Sequence, residues 1–243
     1  ADIEYCFLDD HEDLCFVTPE PGITPICPFG PDHGTAVLGI MGAIHDTDAS
    51  EPNIGMRGIA PMAENYFFPE ADAFTGPRRA AAILSTANLL PAGSIITLEM
   101  QTTVWPADPY GDPFVVPYVP AECDFDVFLA TEAVVGQGIV VVAAAGNGSQ
   151  DLDGGDDDYQ GSGEFFAYYG VYESWGDSGA IIVGAGTPNG QHERLGFSTY
   201  GSPVDVQGWG ELVASLGYGD LLPIDGLIDD RQFYTTEFGG TSS

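Results

Sequence analysis

Short runs of β-branched residues alternate along this chain with alanine-rich segments, and that alternation restricts the fold more than any other feature. The clearest case is Phe125 to Gly136, a helical segment stopped by glycine that feeds directly into Ile139-Val140-Val141-Val142-Ala143. Continuous apolar runs of this kind belong to strands buried on both faces, which occur in parallel sheets with helical crossovers. Further strands are predicted within Ile59 to Phe68 and at Ser94 to Met100, Gly138 to Ala144, Ala180 to Gly184 and Val204 to Val206. Pro77 to Leu90 predicts another helix, opened by proline, rich in alanine and broken at Pro91. Strand, helix and strand in this order predict right-handed βαβ units. The fold class is therefore α/β, a mostly parallel twisted sheet with helices on both faces, and 243 residues suffice for one such domain.

Charge narrows the partners. There are 37 acidic residues against 5 basic ones, the arginines at 57, 78, 79, 194 and 231, for a net charge of −32. Nucleic acid is excluded, because phosphate binding needs basic clusters. Self-repulsion on this scale destabilises the compact state at low salt, and ~1 M salt shrinks the screening length to ~3 Å. Adaptation to brine or to divalent cations is one reading; an ordinary acidic secreted protein is the other. The hydrophobic content of 44% rules out a disordered chain. No apolar stretch approaches the ~20 residues of a membrane helix, so no membrane partner is expected. The chain lacks an initiator Met and stops at Gly-Gly-Thr-Ser-Ser, and is read as a fragment. Cys6, Cys15, Cys27 and Cys123 form no CxxC pair, so zinc is not expected. Two disulfides in an oxidising compartment, with one stapling the N-terminal loop, and four buried thiols both remain open.

Three segments carry chemistry. Asp32-His33-Gly34-Thr35-Ala36 sets a histidine among small residues suited to a helix packed tightly on a sheet; alone, such a histidine is as readily structural. Val140 to Gly148 ends a buried strand in Gly146-Asn147-Gly148, placing an amide at the C-terminal edge where α/β folds bind ligands. That amide suits an oxyanion, although Asn and Gly also make simple turns. Phe238-Gly239-Gly240-Thr241-Ser242-Ser243 lets the backbone turn sharply and expose a hydroxyl, or is merely a flexible tail.

Together, and in this order, the three segments resemble those of the subtilisin-like serine proteases. Gly58-Ile59-Ala60-Pro61-Met62-Ala63 and Tyr200-Gly201-Ser202-Pro203-Val204-Asp205-Val206 resemble two further blocks of that family. The resemblance implies one peptidase domain over residues 1–243, truncated at both ends, with a polypeptide substrate, a monomeric state and a secreted or extracellular location. It implies a serine endopeptidase acting through an acyl-enzyme: Ser242 as nucleophile, His33 as general base and Asn147 as oxyanion donor. No cofactor is required. A catalytically impaired peptide-binding pseudoenzyme and an acyl-transferring macrocyclase or ligase are the alternatives on the same scaffold.

The departures matter equally. Ala36 stands where many members carry a second histidine. Ile96-Thr97-Leu98-Glu99-Met100 replaces the family's Ser-Leu-Gly stretch, which implies that Glu99 and Met100 contact substrate. The acid is altered too. Aligning His11-Glu12-Asp13-Leu14 with the family's His-Pro-Asp-Leu puts Glu4 in the triad position, with Asp2 the alternative if two residues are inserted. Asp2 lies on the same strand face, one pleat deeper. Finally, Asp151, Asp153, Asp156 and Asp158 alternate with glycine turns in a way that suits calcium as a structural ion, which the family often binds. A solvated acidic loop explains the run equally well.

Overall fold

The computed structural model describes residues 1–14, 16–44, 55–103, 118–153, 175–221 and 229–243. Strands β1 (Asp2–Glu4) and β2 (Val17–Pro19) and helix α1 (Asp32–Gly42) come first. They are followed by β3 (Asn65–Pro69) and a ribbon of β4 (Ala71–Asp72) with β5 (Gly76–Pro77). Helix α2 (Arg79–Leu89), β6 (Ile95–Leu98) and a second ribbon, β7 (Gln101–Thr103) with β8 (Tyr118–Pro120), lead to helix α3 (Phe125–Val135). Beyond them lie β9 (Val140–Ala144), β10 (Ile181–Gly186), β11 (Val206–Trp209) and an antiparallel hairpin of β12 (Val213–Leu221) with β13 (Tyr234–Phe238).

Seven strands form one parallel sheet in the order β11-β10-β9-β6-β1-β3-β2. Strands β2 and β3 are laid on one side of β1, and β6, β9, β10 and β11 on the other. The crevice at the C-terminal ends of β1 and β6 is thus the topological switch point, where open α/β sheets place their ligands.

Side-chain alternation sorts the two faces. Ile3, Ile96, Leu98, Val141, Ala143 and Ile182 enter the main core with Ile83 of α2 and Val134 of α3. Each fully buried aliphatic side chain of this kind contributes ~1.5–3 kcal/mol relative to exposure. Asp2 and Glu4 point to the other face, toward α1. Helices therefore lie on both faces, as expected, but α1 covers its face only in part. Farther along that face Ile95, Val140, Ile181 and Val206 stay 38–54% exposed.

Helices α2 and α3 match their sequence-based bounds within about two residues. Three regions differ. The run predicted within Ile59 to Phe68 yields β3 only from Asn65, and Ile59 is exposed. The late strand starts at Val206, because Gly201 to Val204 closes a turn through a Val204 N–H to Gly201 C=O bond of 3.1 Å. The β12–β13 hairpin was not foreseen: Gly217 and Gly219 break its alternation, and its register is irregular. A disulfide joins Cys6, just past β1, to Cys27 ahead of α1, so the N-terminal loop is stapled. Cys123 is buried, and Cys15 falls outside the described residues.

Candidate active site

Glu4 ends β1 and His33 opens α1. Their side chains meet at the switch point, His33 Nδ1 donating to Glu4 Oε2 at 2.7 Å. Gly34 makes this approach feasible: a Cβ there would sit 2.3 Å from the Cys6 carbonyl oxygen and 3.1 Å from Glu4 Cγ. The second Glu4 oxygen accepts from Tyr5 N–H at 2.8 Å. Burial pushes the His33 pKa down, but the hydrogen bond and charge of Glu4, helped by Asp2 and Glu70, outweigh it and hold the imidazole above its ordinary value. The hairpin braces the helix from the far side. Asp32 Oδ1 accepts from Tyr218 N–H at 2.9 Å, Ser215 Oγ donates to Ala36 C=O, and Phe238 meets the His33 ring edge-on at 5.6 Å.

Of the two candidate acids, Glu4 is the one bonded to His33. Asp2 lies deeper, wholly buried, with Oδ1 accepting from Thr97 Oγ at 3.3 Å and Oδ2 without a partner among the described residues. Burial first, then the charge of Glu4, pushes its carboxyl up to about 8.

Asn147 follows β9. Its Oδ1 accepts from Thr241 N–H at 2.9 Å and from Thr241 Oγ at 3.1 Å. A backbone N–H can only donate, so it fixes the amide oxygen on Thr241 and leaves the Nδ2 hydrogens for another acceptor. The Asn147 backbone N–H is held by Gln101 Oε1 at 2.8 Å, and the Gln101 carbonyl by Arg79 at 3.1 Å. Arg79 also pairs with the buried Glu70 at 2.5 Å. Gly240 turns the chain into the serine with φ of +111°, and its missing Cβ leaves room for Asn147 Nδ2, only 3.3 Å from where that atom would be.

Ser242 is half-buried and follows the Thr241 that bonds Asn147. Among the described residues no hydrogen bond joins it to His33; catalytic contacts are often long until substrate binds. Its neighbour across a small cavity is Glu99. The two line a pocket of about 150 Å³ whose other walls include Met41 of α1 and Thr97 of β6. Glu99 is half-buried, with Oε2 enclosed and unpartnered among the described residues. Burial, then the charges of Asp2 and Glu4, drive its pKa well above the carboxylate range. Met100, also expected at the substrate, is buried in the main core.

The structure thus brings together Glu4, His33, Asn147, Ser242 and Glu99 from five separate stretches of chain. Asp156 and Asp158 lie outside the described residues. Asp151 and Asp153 have protein partners: Asp151 Oδ1 accepts from Asp153 N–H at 3.0 Å, and Asp153 accepts from the backbone and hydroxyl of Ser202. No group of three or more metal-binding side chains occurs among the described residues. Sequence reasoning missed Gln101, Arg79 and Glu70 as supports of Asn147. A lone glutamine and a surface-like Arg-Arg pair carry no local signal of that role.

No protein-family model and no curated protein matches this chain. Solved structures do. A cold-adapted subtilisin-like serine proteinase is similar over 99% of this chain and 68% of its own, at 16% identity and a TM-score of 0.58. The self-cleaved protease domain of PatA is similar over 99% of this chain and 73% of its own, at 19% identity and a TM-score of 0.58. The epidermin leader peptide processing serine protease EpiP from Staphylococcus aureus gives 99%, 60%, 16% and 0.57 on the same measures. The seven-stranded parallel sheet and its flanking helices are therefore those of a known architecture: the chain has the fold of the subtilisin-like serine proteases.

Proposed function

We propose that this chain is the catalytic domain of a serine endopeptidase in which Glu4, His33 and Ser242 form the triad and Asn147 donates to the oxyanion. The observation that carries the reading is the meeting of two bonded pairs at one switch point, Glu4 with His33 and Asn147 with Thr241. Glu4 holds the Nδ1 proton, so Nε2 is the free base. Ser242 Oγ attacks the peptide carbonyl and its proton passes to His33 Nε2. Asn147 Nδ2 donates to the oxygen that becomes negative. His33 then protonates the leaving amine, and water releases the acyl group by the same steps in reverse. The Cys6–Cys27 disulfide supports an oxidising, extracellular setting.

The test is labelling by a fluorophosphonate probe, with the adduct located by peptide mass. Labelling at Ser242 that disappears in His33→Ala is expected; an unlabelled Ser242 would sink the reading. One observation favours the second reading, a peptide-binding scaffold with impaired catalysis: among the described residues His33 bonds to Glu4 and no hydrogen bond joins it to Ser242. Peptide binding without labelling would select it.

A further inference from the structure

Glu70 links the two halves of the proposed site. Its backbone N–H donates to Glu4 C=O at 2.8 Å, at the end of β1. Its buried side chain accepts from Arg79 Nε at 2.5 Å. Arg79 Nη1 donates in turn to Gln101 C=O at 3.1 Å, and Gln101 Oε1 accepts from Asn147 N–H at 2.8 Å. Asn147 Oδ1 then closes on Thr241, the residue before Ser242. An unbroken line of bonds thus runs from the strand of the acid to the turn of the nucleophile. Local structure gives Asn147 little else. Gly146 and Gly148 flank it, Gly146 with φ of +93°, and glycine backbone is the least constrained of all. Outside anchors have to hold the amide, and the β7–β8 ribbon supplies them. β8 closes on one flank, where a Cβ on Gly146 would lie 2.9 Å from the Tyr118 carbonyl oxygen. β7 holds the Asn147 N–H through Gln101.

We propose that Arg79, held by Glu70, is a positioning residue for the oxyanion donor: it fixes Gln101, and through Gln101 the place of Asn147 relative to Glu4 and His33. This rests on the peptidase reading above. The residue opposite Gln101 in the ribbon is Pro120, which has no N–H to offer, and Arg79 brings a donor to the Gln101 carbonyl from outside the ribbon. A guanidinium suits the task, because its planar fork of N–H groups serves the Glu70 carboxyl and the Gln101 carbonyl at once and at fixed angles. Stability alone is a poor reason for the pair, since taking an ion pair out of water offsets much of its attraction. Neither Arg79 nor Glu70 takes part in the proton transfers. Both act through Asn147, so their effect falls on the transition state that its amide serves.

Two measurements test this. The first is a double-mutant cycle on the digestion of unfolded casein, resolved into kcat and KM. Arg79→Met should lower kcat about 10- to 100-fold with KM little changed, the scale of a small misplacement. In an Asn147→Ala background the same substitution should cost no more than about 2-fold, because a residue that acts through Asn147 has nothing left to place. An equal loss in both backgrounds, or a loss in KM alone, overturns the proposal. Should Arg79→Met not fold, Gln101→Ala carries the same cycle, since it removes the last link and leaves the Arg79–Glu70 pair in place. The second measurement needs no turnover. Hydrogen exchange at the Asn147 backbone amide should quicken about 10-fold or more in Arg79→Met and in Gln101→Ala; exchange at the wild-type rate overturns the proposal. If the wild type digests nothing, the peptidase reading falls, and the exchange rates still decide whether this line of bonds holds Asn147.

Discussion

Glu4 and Glu99 carry the same carboxyl at the ends of adjacent parallel strands, on the same face of the sheet, and the fold surrounds them differently. Glu4 has a partner for each oxygen, Tyr5 N–H on one and His33 on the other. Glu99 lines a pocket with Ser242 and keeps one bare oxygen among the described residues. Donors that favour the ionised form keep a carboxyl charged, whereas burial among like charges neutralises it. The difference teaches that two carboxyls at neighbouring strand ends can differ sharply in their partners.

Of the two, Glu4 is the one on which the proposed reaction depends, through its bond to His33. Glu4→Gln should lower kcat by ~10⁴, as expected when the tautomer-setting carboxylate is lost. It should also move the acid limb of kcat/KM downward, since Glu4 is what lifts the His33 pKa. In the wild type that limb should lie above the ordinary imidazole value of about 6.5. A pH–rate profile that is unchanged by Glu4→Gln would break the assignment and return Asp2 as the acid.

On the nucleophile side, Asn147→Ala should lower kcat by ~10²–10³ with little change in KM, because the amide serves the transition state. A change in KM alone would reduce Asn147 to a turn residue.

Stability should follow the buried acids. The folded-state pKa values of Asp2, about 8, and Glu70, about 7, are raised, as is that of Glu99. In the unfolded chain these groups release their protons near pH ~4. The native state thus binds more protons between these limits, and stability falls as pH rises through them. His33 has the same sign, since its raised pKa contributes stability that is lost as pH rises through it. The melting temperature should be higher at pH 5.5 than at pH 8.5, with part of the slope removed in Asp2→Asn. A flat or rising profile would show that the acids ionise in place.

The smallest effect separates buried from surface carboxylates. Salt screens charges in solvent and hardly reaches buried ones. With a net charge of −32, the melting temperature should rise from dilute buffer to ~1 M NaCl. The difference in melting temperature between wild type and Asp2→Asn should stay constant, and a difference that collapses in salt would place Asp2 in contact with solvent.

The sheet was readable because its signal is local. The valine run of β9 and the alanine-rich α2 and α3 announce buried strands and crossovers within a dozen residues. His33, Asn147 and Ser242 were readable for the same reason, since each sits in a short stretch whose glycines and small residues are part of its geometry. The hairpin β12–β13 was not, because its glycines hide the alternation and its partner strand is defined only by pairing.

By itself, then, the sequence determined an α/β sheet with a histidine, an amide and a serine at strand and helix ends, and a strongly acidic surface. Only the tertiary structure decided which acid meets the histidine. Asp2 and Glu4 share one strand face, and a single pleat of depth puts Glu4 at His33 and buries Asp2 against Thr97. It likewise decided that Glu99 shares a pocket with Ser242, although 143 positions separate them in the numbering. Local propensity specifies elements, but a carboxyl's partner and its charge depend on which strands become neighbours and on how much water reaches the space between them.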